Sequence, residues 1–146
     1  MKNKILLFLM IVFSFTLTAC KKKEERPLSE NEYYVYYINT ATDKLVENRY
    51  TASLPSNDMD GLVDELMSQF LKVPDDLEAL SALPDKVTYQ GFDRDGNILY
   101  LNFDTNYQGM DISREVLARA ALAKTLTQID GIDYISISCG DQSLFN

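Results

Sequence analysis

Two cysteines, no histidine and a surplus of carboxylates are the raw material for chemistry in this 146-residue chain. The missing imidazole removes the commonest general base and the commonest metal ligand together. Cys139 falls on the apolar parity of a strand, so it reads as a small core residue rather than a nucleophile. With Cys20 committed elsewhere, it has no partner for a disulfide. Asp75 and Asp76 could in principle share acid–base work, but adjacent carboxylates in a polar loop are ordinary solvated charge. Asp93-Arg94-Asp95-Gly96-Asn97 starts like a calcium loop. An EF-hand needs glycine at its sixth position and glutamate at its twelfth, whereas here glycine is fourth and Asp104 stands twelfth. No activated nucleophile, metal site or cofactor motif remains, so neither catalysis nor a cofactor is expected.

Cys20 is different, because of what precedes it. Lys2 and Lys4 form a basic head, residues 5–16 are almost wholly apolar, and Leu17-Thr18-Ala19 brings small residues up to the thiol. These are the parts of a secretory signal peptide. The apolar body, residues 5–19, has 15 residues, short of the roughly 20 that span a bilayer. Leu-Thr-Ala-Cys resembles the lipobox of bacterial lipoproteins, which implies a diacylglyceryl group on the Cys20 thiol and removal of residues 1–19. The expected product is held at the extracytoplasmic face of the cell membrane by its lipid.

Cleavage would leave 127 residues, enough for one domain with a sizeable core. Residues 27–146 carry 8 bases against 20 acids, a net charge of −12. Such a surface repels phosphate backbones and excludes nucleic-acid binding. Residues 20–31 are polar and broken by Pro27, so they read as lipidated cysteine plus linker. A flexible coil over residues 21–31 would span roughly 18 Å. The domain is assigned to residues 32–146.

The elements follow from periodicity. Residues 33–39 (YYVYYIN) are rich in strand formers, and residues 44–54 alternate Val46, Tyr50, Ala52 and Leu54 against a polar face; the two runs are expected to pair. Pro55 to Asp58 stop the strand and offer caps. Met59, Leu62, Val63, Leu66, Met67, Phe70 and Leu71 then mark one stripe of a helix. Strands at 87–93 and 98–103 flank an Asp95-Gly96 hairpin turn. A second helix spans residues 111–128, with an apolar belt that includes Ile112, Val116, Leu117, Ala121, Leu122 and Leu126. Gly131 stops it, and residues 132–138 form the last strand, with Ile135, Ile137 and Cys139 on one face. The expected class is α+β: one mixed, largely antiparallel sheet with two helices on one face, in the order β-β-α-β-β-α-β.

Tyr36-Tyr37-Ile38-Asn39, Ala82-Leu83-Pro84, residues 98–103 (ILYLNF) and above all residues 122–133 (LAKTLTQIDGID) resemble the GerMN domain, the sporulation and spore-germination module of exported bacterial lipoproteins. The resemblance runs from about Tyr33 to Cys139. It implies a small α/β module acting in envelope assembly or binding. Its motifs are packing patterns, so it carries over no catalytic residue. The founding type has two such domains in tandem; this chain has one.

Two functional expectations stand side by side: a non-catalytic module that binds another envelope protein, and a module that binds cell-wall glycan. Nine tyrosines motivate the second, since sugars stack on aromatic rings. A two-residue turn at Asp95-Gly96 would set Phe92 opposite Leu99 and Thr88 opposite Phe103 on the core side. It would set Gly91 opposite Tyr100 and Tyr89 opposite Asn102 on the open side. Tyr134 falls on the open side of the last strand. Tyr89, Tyr100 and Tyr134 are therefore the candidate partner-binding residues.

Overall fold

Strand β1 (Glu32–Asn39) turns Tyr33, Val35 and Tyr37 inward, none more than 6% exposed, and leaves Tyr34 and Tyr36 half-buried. The computed structural model to which it belongs describes residues 26–72, 74, 78–140 and 142–143; the leader, Cys20 and the pair Asp75 and Asp76 lie outside these. β1 pairs antiparallel along its whole length with β2 (Lys44–Thr51). The connecting loop is held by Asn39, whose Oδ1 accepts from the amides of Ala41 and Thr42, each at 3.0 Å. A two-residue strand, β3 (Ala79–Leu80), covers the far end of β1 opposite Ile38 and Asn39.

Ahead of β1 the chain is already tied to the domain. Arg26 donates both guanidinium NH2 groups to the Glu32 carboxylate at 2.8 and 2.6 Å, and the Ser29 amide adds a third bond at 2.9 Å. Arg49 reaches the same carboxylate at 3.3 Å and the Arg26 carbonyl at 2.9 Å. Residues 26–31, expected as linker, thus include a clasp on the folded domain.

Helix α1 (Met59–Phe70) starts where Asp58 accepts from the Gly61 amide at 3.1 Å. Its stripe Leu62, Val63, Leu66, Met67 and Phe70 is buried, each large side chain contributing about 1.5–3 kcal/mol. Leu71, assigned to the same stripe, is 38% exposed. Glu65 on this helix accepts from the Tyr50 hydroxyl (2.7 Å), the Ser53 amide and hydroxyl (both 2.8 Å) and the Leu54 amide (3.1 Å), which pins the end of β2. Burial pushes this carboxyl up, but the donors outweigh it and leave its pKa below the usual value.

β4 (Tyr89–Asp95) and β5 (Ile98–Phe103) form the expected hairpin. Gly96 turns it at φ 59°, the left-handed conformation a two-residue turn asks of its first residue. The chain then passes through a 3₁₀ turn (Thr105–Gly109) into helix α2 (Ile112–Leu126), capped by Asp111 on the Ser113 amide at 2.9 Å. β6 (Tyr134–Cys139) returns parallel to β5, and β7 (Gln142–Ser143) pairs antiparallel with β6.

The α+β class and the order of the principal elements are as expected. The strands, however, form two sheets, β2-β1-β3 and β4-β5-β6-β7, not one. The reason lies at the second edge of β1. Gln128 donates to the Tyr34 carbonyl at 2.7 Å and accepts from the Tyr34 amide at 2.8 Å, and Thr125 accepts from the Tyr36 amide at 3.1 Å. Side chains from α2 and the residues just after it fill ladder positions that a strand would take, so the second sheet cannot add there. α2 touches both sheets, through β1 and β2 on one side and β6 on the other. Leu99, Leu101, Phe103, Ile137 and Cys139 from the second sheet join both helices and β1 in one core.

Candidate functional site

The face of the second sheet that turns away from this core carries Ile98, Tyr100 and Asn102 on β5. Opposite them in register stand Tyr134, Ser136 and Ser138 on β6. Parallel strands are ordinarily covered on both faces. Here Tyr134 is 62% exposed, and Tyr100 and Ile98 are half-buried. Tyr134 is adjacent to Ile98 and diagonal to Tyr100, so the two expected rings share one surface. The start of β6 is fixed by Asn97, whose carbonyl accepts from the amides of Asp133 (2.9 Å) and Tyr134 (3.2 Å), while its side chain donates to Asp133 at 2.6 Å.

A polar row runs beside the rings. Asp93 lies opposite Tyr100, accepts from the Asn102 side chain at 3.0 Å, and Asn102 in turn accepts from the Ser138 hydroxyl. Asp95, opposite Ile98, adds a second exposed carboxylate. The surface is therefore aromatic at its centre and acidic at its β4 rim.

Tyr89 does not belong to it. The observed hairpin closes on Asp95 opposite Ile98, so Phe92 faces Leu101 and Gly91 faces Asn102, two residues out of the expected register. A shift of two keeps parity. Between Tyr89 and Gly91, however, the register shifts by one more residue, with Gly91 at φ +117°. This bulge sends Tyr89 to the core side, opposite Phe103, with ring centroids 5.6 Å apart. Its hydroxyl is buried without a hydrogen-bond partner among the described residues, and burial pushes the phenol's pKa up. A glycine inside a strand pattern is the sequence signal that could have warned of it.

Tyr107 stacks on the other side of this cluster, 5.1 Å from Phe103 and fully buried. Cys139 is 2% exposed and burial raises its thiol pKa, which suits a packing role. Asp93 lies in the hairpin strand as expected, whereas Asp95, expected in the turn, extends β4 to pair with Ile98, and the turn falls on Gly96-Asn97.

One exposed feature was missed. Ile112 and Val116, expected in the core belt of α2, are 79% and 60% exposed. The buried row is Ala118, Ala121, Leu122, Thr125 and Leu126. At about 100° per residue, Val116 lies opposite Thr125, but Ile112 falls only about 40° from buried Leu126, so the period alone sets apart Val116 and not Ile112.

Among the described residues no group of three or more cysteine, aspartate or glutamate side chains could hold a metal ion, and no helix is long and apolar enough to cross a membrane.

The fold can be matched to solved proteins. The first GerMN domain of the sporulation protein GerM from Bacillus subtilis aligns with a TM-score of 0.61 at 13% identity, over 77% of this chain and 85% of that one. The tandem GerMN domains of the same protein align with a TM-score of 0.57 at 17% identity; 77% of this chain is covered, and it spans 40% of the tandem pair. No curated protein matches the chain. The sequence model of the Germane family, described as sporulation and spore germination, matches residues 34–145. That span runs from within β1 to beyond β7 and includes both helices, and the chain belongs to this family.

Proposed function

We propose that this protein is a non-catalytic binding module, lipid-anchored through Cys20 on the extracytoplasmic face of the cell membrane, that captures another envelope protein through the Tyr100 and Tyr134 face. The observation that carries the reading is the ring of Tyr134, 62% exposed beside half-buried Tyr100 on the face of the β5–β6 pair that turns away from the core. Aromatic side chains with one polar end are favoured at interfaces because they bury large area and still hydrogen-bond. Family membership supports a role connected with sporulation or germination.

A second reading, binding of cell-wall glycan, is favoured by one detail. The hydrogen-bonded row Asp93–Asn102–Ser138 beside Tyr100 offers a sugar both a stacking face and polar partners.

The test uses the full chain carrying Tyr100→Ser or Tyr134→Ser. Both variants are expected to melt close to wild type and to lose most of the partner that co-purifies from detergent-solubilised membranes. Retention on intact peptidoglycan, abolished by the same substitutions, would favour the glycan reading. Melting far below wild type would mean that these rings are core residues and that the site is wrong.

A further inference from the structure

We infer that a second surface, the groove between the first turns of α2 and the β1–β2 loop, docks an apolar segment of another protein that carries basic side chains. The groove measures about 720 Å³, with Ile38, Ile112, Val116 and Leu117 as its apolar lining and Asp43 and Asp111 among its walls. Ile112 and Val116 are one helical turn apart, and among the described residues neither packs against the core.

Charge and reach select the occupant. Among the described residues Arg114 is the only cation lining the groove, and its guanidinium donates to the carbonyls of Ala82 (2.9 Å) and Ser81. Asp43 and Asp111 form no ion pair among the described residues; Asp111 is used only as a helix cap. Lysine or arginine on an incoming segment would meet these carboxylates while its apolar side chains covered Ile112 and Val116. A second copy would instead bring its own Asp43 and Asp111 into apposition, on a domain whose residues 27–146 carry a net charge of −12. An anionic lipid surface is repelled for the same reason.

Arg26, the first described residue, is fastened beside Glu32 at one end of β1, and the groove lies at the other, beyond Ile38.

The probe is a 14-residue amphipathic peptide of leucine and lysine at helical spacing, set against the same peptide with glutamate for lysine. Each is titrated by fluorescence anisotropy into the full chain in neutral phosphatidylcholine nanodiscs, with empty nanodiscs as the baseline. The lysine peptide is expected to bind saturably. Ile112→Ser with Val116→Ser should weaken it at least tenfold. Asp43→Asn with Asp111→Asn, which retains the helix cap, should weaken it several-fold and flatten its salt dependence; Tyr134→Ser should leave it unchanged. A photo-reactive phenylalanine in the peptide should crosslink wild-type protein within the first turns of α2.

Equal binding to the serine double variant, equal binding of the glutamate peptide, or crosslinks elsewhere would overturn the assignment. Sedimentation showing a dimer that the serine double variant dissociates would also overturn it, in favour of a second copy.

Discussion

Glu32 is the residue at which proton concentration should matter most. Hydrogen bonds from Arg26, and then from the Ser29 amide, hold its carboxyl down to about 2. An unfolded glutamate titrates near 4.3. The folded value is the lower one, so the clasp contributes fully above about pH 4.3 and is lost as pH falls toward 2. Arg26 is 65% exposed, so salt will weaken the effect. Melting temperature followed from pH 6 to pH 2 should fall more steeply for wild type than for Glu32→Gln. Parallel curves would show that the ion cluster does not couple to folding.

Elements were legible in proportion to how local their causes are. The stripe of α1 from Leu62 to Phe70, the Asp58 cap and the existence of the β4–β5 hairpin are set by neighbours in the chain, and the sequence pattern finds them, although the hairpin turn falls one residue later than expected. The division into two sheets rests on Gln128 bonding Tyr34, a contact 94 residues apart between types that carry no pairing signal. The bulge before Gly91 moved Tyr89 out of the expected surface because one extra residue reverses parity for everything before it, while Tyr100 and Tyr134, beyond its influence, kept theirs. The Gln128 contact also gives the element-scale prediction. Gln128→Ala leaves the Tyr34 amide and carbonyl without these partners on a part-buried edge and should cost about 1–3 kcal/mol in denaturant unfolding. Gln128→Glu keeps the acceptor but sets a carboxylate oxygen against the Tyr34, Lys124 and Thr125 carbonyls, and should cost at least as much as alanine. An alanine variant as stable as wild type would mean that β1 needs no such closure.

At the scale of the whole molecule, the anchor comes first. Cys20→Ala in the producing cell is expected to leave an uncleaved precursor and to abolish labelling by a fatty-acid analogue; label retained on that variant would sink the lipid assignment. For an anchored chain, the Arg26 clasp has a consequence for how strong a partner interface needs to be. Because the domain is gripped from residue 26 onward, its leash is residues 21–25 rather than the whole polar stretch, about 20 Å at full stretch. Confinement to so thin a layer raises the local concentration of any partner held in the same layer, and so lowers the affinity that capture requires. On the proposed reading, two modest surfaces, one aromatic and one apolar with acidic walls, would be enough to hold an assembly together at the membrane and to let go of it in free solution.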